Sequence, residues 1–449
     1  PAEGELLESI RREAIDNIRR LRNHSCIALW CGNNECLDAW FNWNWKKTYD
    51  KQNPAYSDII WKQFKNQYFV TLPAVVEEFH PGACYRKSSP YSDDKGTRNH
   101  TVGDMHYWAV WQGLKPLSEF NHERSRFFSE YGFQSFPEFE SIKRYAPLSE
   151  DWNLTSEVMM SHQRGGTAAN KRINDFLLSE YRQPKDFRSF TYMSQLLQAD
   201  AMKMAMEAHR RDMPYCMGSL VWQHNDCWPV ASWSSIDYYG RWKALQYFAR
   251  RFFAPVLLSC EEEGALSSSM NVNEENRRIR KAARFCVTNE TREPVSGFIK
   301  WSIQDAASDI CRQGQYSVEV EALSVCSYPW IEFPDIDIRN HYLSYELWLH
   351  GEKVSHGVSL FVPPKHFEFA DPKLELRRDG ETLLIHAAAF AKGVEIGNEA
   401  GDLLLSDNYF DMDAGEKRVQ VLRGCMEGLY VRSMYSLMPD HGTIICRVD

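Results

Sequence analysis

The 449-residue sequence contains no uninterrupted apolar run near the roughly 18 residues a membrane-spanning helix needs. It has no excess of basic charge. Its 52 Lys and Arg against 61 Asp and Glu leave a net charge of -9, which argues against nucleic acid or an anionic membrane as the main partner. Twelve cysteines in a chain this long fall far below the density of a disulfide scaffold. There is no glycine-rich dinucleotide fingerprint, no repeat of solenoid period and no low-complexity tract. The chain opens on Pro1 rather than Met, with no signal peptide to read. What it does have is 43% hydrophobic residues, enough to build two to four domains, and an unusual load of 15 Trp, 21 Tyr and 24 Phe. Such aromatics either fill a core or line clefts that hold flat, weakly charged ligands.

Apolar spacing predicts a first helix through Leu6, Ile10, Ala14, Ile18 and Leu21. Cys26 to Trp30 reads as a buried strand. A helical pattern from Ser57 to Phe79 carries Ile60, Phe64, Tyr68 and Leu72 at intervals of four, with Pro73 expected to break it in two. Short strands are predicted at 83–85, 102–105, 126–130 and 217–222, a long helix at Phe187–Arg211, and a closing helix at Arg241–Arg251. Strand followed by helix, repeated, implies parallel strands with helical crossovers. Without a dinucleotide motif this favours part of a (β/α)8 barrel over residues 1–253. After Pro255 only strands are expected: a β-sandwich over 254–364, ending at Pro363-Pro364, and a second over 365–449 with a hairpin at Asp379-Gly380. The strand His341–Leu349 places Leu343, Tyr345, Leu347 and Leu349 on one face, and the acidic, serine-rich stretch Glu261–Asn276 reads as an exposed loop or hairpin.

In a β/α barrel the chemistry sits where strands end. The first strand runs into Gly32-Asn33-Asn34-Glu35, which either faces a ligand or caps the next helix. Phe128-Ser129-Glu130-Tyr131-Gly132 is a second such end, where Glu130 either acts chemically or pairs with an arginine. Two carboxylates on separate strand ends of one barrel are what glycosidic-bond hydrolysis requires: one protonates the leaving oxygen, and the other attacks the anomeric carbon or activates water. Trp222 to Pro229 and Gly103 to Trp108 add amides, carboxylates and indoles suited to sugar hydroxyls and pyranose faces.

These segments are long enough to identify. Arg22 to Glu35 closely resembles the acid/base strand of family 2 glycoside hydrolases of the β-mannosidase type, and Ser129 to Pro137 resembles the nucleophile strand of that group. Trp222 to Trp242 is similar to its last barrel strand and closing helix, and Ser406 to Phe410 to a motif of its C-terminal sandwich, which the resemblance makes immunoglobulin-like, as it does the sandwich before it. The Gly-Asn-Asn-Glu form matters, because relatives acting on β-galactosides and β-glucuronides more often carry a single Asn before the acid. The resemblance implies a retaining exo-β-mannosidase with Glu35 as general acid/base and Glu130 as nucleophile, their carboxyl groups roughly 5–5.5 Å apart. It places Asn34 on the sugar 2-hydroxyl, and makes Trp43, His106, Trp108, Trp222, Asn225, Asp226 and Trp228 candidate substrate-binding residues. The expected partner is a β-mannoside or manno-oligosaccharide, with no nucleic acid, no membrane and no cofactor. A sibling specificity (β-glucosaminidase or β-galactosidase) and a carbohydrate-binding fragment without turnover remain alternatives.

The same resemblance implies N-terminal domains and earlier barrel strands ahead of residue 1, so the missing N-terminal part of the same protein is an expected partner and full activity without it is in doubt. Periplasm or lysosome suits glycan breakdown, and cytoplasm stays open. Cys26, Cys31 and Cys36 lack the paired knuckles of a zinc site and are expected to be buried free thiols. His100 and His106 have no carboxylate-rich motif beside them in sequence, so no catalytic metal is expected. Asn-X-Ser/Thr triplets at Asn23, Asn99, Asn153 and Asn289 are no more than chance supplies.

Overall fold

The computed structural model describes residues 2–264, 280–437 and 446–448. The chain divides into two compact units: residues 1–107, 124–131 and 215–220 form the first, and residues 108–123, 132–214 and 221–449 the second.

The first unit begins with helix α1 (Gly4–Leu21), whose buried Ile15 and Ile18 pack on Val75 and Val76 of α5 (Leu72–Phe79). Between them lie β1 (Trp30–Cys31), α2 (Cys36–Asn42), α3 (Trp45–Gln52) and α4 (Pro54–Lys65). The break expected at Pro73 does not occur: α4 passes without a loop through a π-wound stretch, Asn66–Thr71, into α5, whose first turn holds Pro73. The strands are shorter than the apolar runs suggest. β1 pairs in parallel with β2 (Tyr85–Arg86). β3 (Met105–His106) pairs in parallel with β4 (Phe128–Tyr131), and β5 (Ser219–Val221) follows in the order β3-β4-β5.

The buried strand expected at Cys26–Trp30 does not form; the strand is Trp30–Cys31. Ile27 donates its N–H to His24 O at 3.1 Å in a turn, and the ladder begins only where Trp30 donates to Cys84 O at 2.9 Å. Leu29 is 48% exposed. The expectation of buried thiols falls with it: Cys26 and Cys31 are exposed, and only Cys36 is partly covered.

In the second unit the long helix Phe187–Arg211 forms at the expected bounds. The Asp186 carboxylate caps it by accepting the Ser189 N–H at 2.7 Å. It buries residues on every face, as a helix enclosed by its own unit must. The closing helix is Ala244–Phe252. Two antiparallel sheets follow: Val256–Glu263 and Ser324–Ser327 both pair with Ala282–Asn289, and the order of the other is Glu352–Leu360, His341–Leu349, Val295–Asp305, Ile310–Val320. Phe285 and Val287 from the first meet Ile299, Ile303, Leu343, Tyr345 and Leu347 from the second in one core. His341–Leu349 does not simply alternate, because Tyr342 on its other face is also buried, against Phe367 and Phe390. Of the stretch expected as an exposed loop or hairpin, Glu261–Glu263 ends a strand paired antiparallel with Ala282–Arg284, as one arm of a hairpin does; residues 265–276 lie outside the described residues. Two further four-stranded sheets occupy the C-terminal part. There the expected hairpin pairs Asp379 with Thr382 around Gly380, whose φ of +62° is open to glycine at no steric cost.

Candidate active site

Gly32 begins the site because no larger residue fits: a Cβ there would lie 2.4 Å from the Tyr85 hydroxyl and 2.7 Å from the Lys87 carbonyl. The two asparagines that follow divide the work. Asn33 is structural; its amide donates to Lys87 O at 2.7 Å, while its oxygen accepts from the Cys36 N–H at 3.0 Å and the Ser88 hydroxyl at 2.8 Å, closing the first turn of α2. Asn34 is exposed and bridges Ser89 through its backbone. Backbone bonds from Ser89 N to Asn33 O (2.9 Å) and from Glu35 N to Ser89 O (2.7 Å) fix the segment just ahead of the acid. Glu35 itself has a φ of 61°, an uncommon left-handed conformation for a non-glycine residue, of the kind concentrated at functional sites.

Glu130 is held by the ladder of β3 and β4, where it pairs with His106 and its carbonyl accepts the Tyr107 N–H at 2.7 Å. Phe128 and Tyr131 on the same strand are fully buried and anchor it. The result joins residues far apart in sequence. His106 Nδ1 lies 2.8 Å from Glu35 Oε1 and 3.6 Å from Glu130 Oε2, with the imidazole side chain only 5% exposed. One oxygen from each carboxylate and one His106 nitrogen all lie within 4.8 Å of one another. These residue types can bind metals. However, ligands at about 2.0–2.2 Å around a tetrahedral ion sit roughly 3.3–3.6 Å apart. The 2.8 Å Nδ1···Oε1 separation is that of a hydrogen bond instead.

Behind the trio stand residues the sequence reading did not single out. Ser89 Oγ is 2.9 Å from His106 Nε2 and donates to Asp104 Oδ2 at 2.6 Å. Ser129 Oγ donates to the same oxygen at 2.5 Å, and the Tyr91 N–H to Asp104 Oδ1 at 2.8 Å. Nothing in local spacing announces this group, because its members come from three separate segments. Trp43 ends α2, is 45% exposed, and hydrogen-bonds Asp38. Burial opposes ionisation of Asp38, but hydrogen bonds from Arg98 and Asn42, the Arg98 charge and Trp43 together hold its carboxyl below the usual range.

The remaining expected residues belong to the second unit. Trp108 packs edge-on against Trp233, and a Cβ on Gly132 would lie 3.1 Å from each ring and 2.2 Å from the Trp222 carbonyl. Trp222 is 41% exposed, and Asn225 is exposed. Asp226 is buried and turned into its own loop, accepting from Ser234 at 2.6 Å, Ser232 at 3.0 Å and Gln223 at 3.0 Å. Trp228 lies beside the His162 ring at 5.8 Å.

Residues 281–366 match the family described as the mannosidase Ig/CBM-like domain. A β-mannosidase B of Aspergillus niger is 30% identical over 393 residues, which cover 85% of this chain and 46% of that protein. The β-mannosidase B of Aspergillus clavatus is 29% identical over 463 residues, covering 95% and 52%. The solved β-D-mannosidase of Dictyoglomus thermophilum superposes with a TM-score of 0.80 at 25% identity, over 96% of this chain and 51% of that one. Over most of its length the chain is thus similar to proteins named β-mannosidase. It spans about half the length of the curated β-mannosidases it matches. An exo-chitosanase of Amycolatopsis orientalis, with a TM-score of 0.66 at 14% identity over 97% of this chain and 54% of that one, shares the fold.

Proposed function

We propose that this chain carries the catalytic carboxylates of a retaining exo-β-mannosidase, which releases terminal non-reducing β-D-mannose through a glycosyl-enzyme. The observation that carries the reading is the spacing of Glu35 and Glu130, with oxygens within 4.8 Å. Inverting enzymes hold their carboxyl groups roughly 6.5–9.5 Å apart to admit a water, whereas retaining enzymes use about 5–5.5 Å. The relationship to proteins named β-mannosidase supports the sugar.

On this reading Glu130 attacks the anomeric carbon while Glu35 protonates the departing glycosidic oxygen. In the second half Glu35 removes a proton from water, which displaces Glu130 and restores the hydroxyl in its original β configuration. Asn34, exposed beside the acid, meets the 2-hydroxyl, whose axial position separates mannose from glucose. Trp43, Trp108, Trp222, Asn225 and Trp228 remain sugar-facing candidates, and Asp226 supports its loop from within. The strands β1 to β5, parallel in the pairs β1–β2 and β3–β4, are read as part of a (β/α)8 barrel, with immunoglobulin-like sandwiches over 254–364 and 365–449. The test compares aryl β-mannoside, β-glucoside, β-galactoside and β-glucosaminide, with Glu130→Gln as control. Preference for the mannoside, abolished by the substitution, is expected. Cleavage of another glycoside in preference overturns the specificity, and turnover surviving Glu130→Gln overturns the nucleophile.

A further inference from the structure

The hydrogen bonds behind the two carboxylates have a direction. The Asp104 carboxylate accepts from Ser89 Oγ at 2.6 Å and Ser129 Oγ at 2.5 Å, lengths typical of a hydroxyl donating to an ionised oxygen. Ser89 has a single proton. Having given it to Asp104, it can meet His106 Nε2 at 2.9 Å only as an acceptor, so the Nε2 nitrogen bears hydrogen. The opposite assignment would leave two acceptors facing each other 2.6 Å apart. With Nε2 protonated, the 2.8 Å contact between Nδ1 and Glu35 needs a second proton between nitrogen and oxygen.

We propose that His106 is the proton store of Glu35. Asp104, acting through Ser89, fixes one proton on Nε2, so the proton lying between Nδ1 and Glu35 Oε1 is held jointly and is the one delivered to the glycosidic oxygen. This rests on the reading of Glu35 as acid/base. Delivery leaves a neutral Nε2–H imidazole whose Nδ1 lone pair faces the Glu35 carboxylate. That repulsion favours uptake of the proton from the attacking water, which restores the starting arrangement. Glu35 and Glu130 face Nδ1, Asp104 acts on Nε2 through Ser89, and Arg98 and Cys36 interact electrostatically with Glu35. His106 is a positioning residue in this scheme, because it reaches the substrate only through Glu35.

The test is nitrogen NMR of the chain labelled with 15N-histidine, with the His106 signals identified by their loss in His106→Asn. The expected spectrum shows Nε2 protonated throughout pH 5–8, and Asp104→Asn, which lets Ser89 donate to the ring, moves the proton to Nδ1. A neutral ring protonated on Nδ1 in the unsubstituted chain overturns the proposal. This readout needs no turnover, so it stands apart from success or failure of the mannosidase assignment. Where turnover is measured, His106→Asn should cost on the order of 10² for alkyl or sugar leaving groups and far less for a dinitrophenyl one. Equal losses on both overturn the proton-storing role.

Discussion

Glu35 takes its place through its neighbours: Gly32 allows the close approach to Tyr85, Asn33 closes the helix turn, and Ser89 receives the Glu35 N–H. Glu35→Gln keeps these backbone bonds and removes only the transferable proton. Turnover on poorly activated mannosides should then fall by about 10²–10⁴, while an activated aryl mannoside suffers less; leaving-group series for both proteins check this. Nearby, Asp38 is held by two bonds from Arg98, at 2.9 and 2.7 Å. Because the Asp38 carboxyl is held below its unfolded range, its contribution is complete above that range and is lost as pH falls through the folded value. Arg98→Ala should cost about 1–2 kcal/mol at neutral pH, a modest figure because Arg98 is half exposed. Urea melts should show the difference shrinking in acid. The sequence made Glu35, Glu130 and His106 legible as separate candidates. It left Ser89 without a role and offered Asp104 only within a strand end suited to sugar hydroxyls, since a hydrogen-bonded group joining residues from 35 to 130 has no local period to read.

Among the elements, the helix Phe187–Arg211 was legible at both ends from its long apolar period; the structure adds the Asp186 cap and the basic last turn. Asp186→Ala removes the acceptor for the Ser189 N–H and should lower stability by about 1 kcal/mol in thermal or chemical melts. The strands of the first unit were less legible. An apolar run such as Cys26–Trp30 signals burial only if a neighbouring strand takes its backbone groups, and here a turn at His24 takes the first of them. His341–Leu349 shows the opposite limit: its period named the face toward the sandwich core but not the cover over Tyr342.

Across the whole molecule, half-buried carboxyls of the second unit couple stability to pH. Burial pushes the Glu180 carboxyl up to about 7 against the opposing charge of Lys365, and burial with the nearby Glu263 pushes Glu262 up to about 8. Both groups therefore bind protons more tightly folded than unfolded, where an ordinary glutamate titrates near 4.5. Stability from them is complete below that value and is lost as pH rises toward 7 and 8. Melting temperatures taken from pH 5 to 8 should decline, and Glu180→Gln should flatten part of the slope; an unchanged slope would show that the group does not titrate on unfolding.

Retention is decided at the anomeric centre, and proton NMR of the first sugar released from an aryl β-mannoside reads it directly. Spacing of Glu35 and Glu130 within 4.8 Å predicts β-mannose appearing first and mutarotating afterwards to the α form. Initial release of α-mannose would contradict retention, because inversion needs carboxyl groups held roughly 6.5–9.5 Å apart to admit a water.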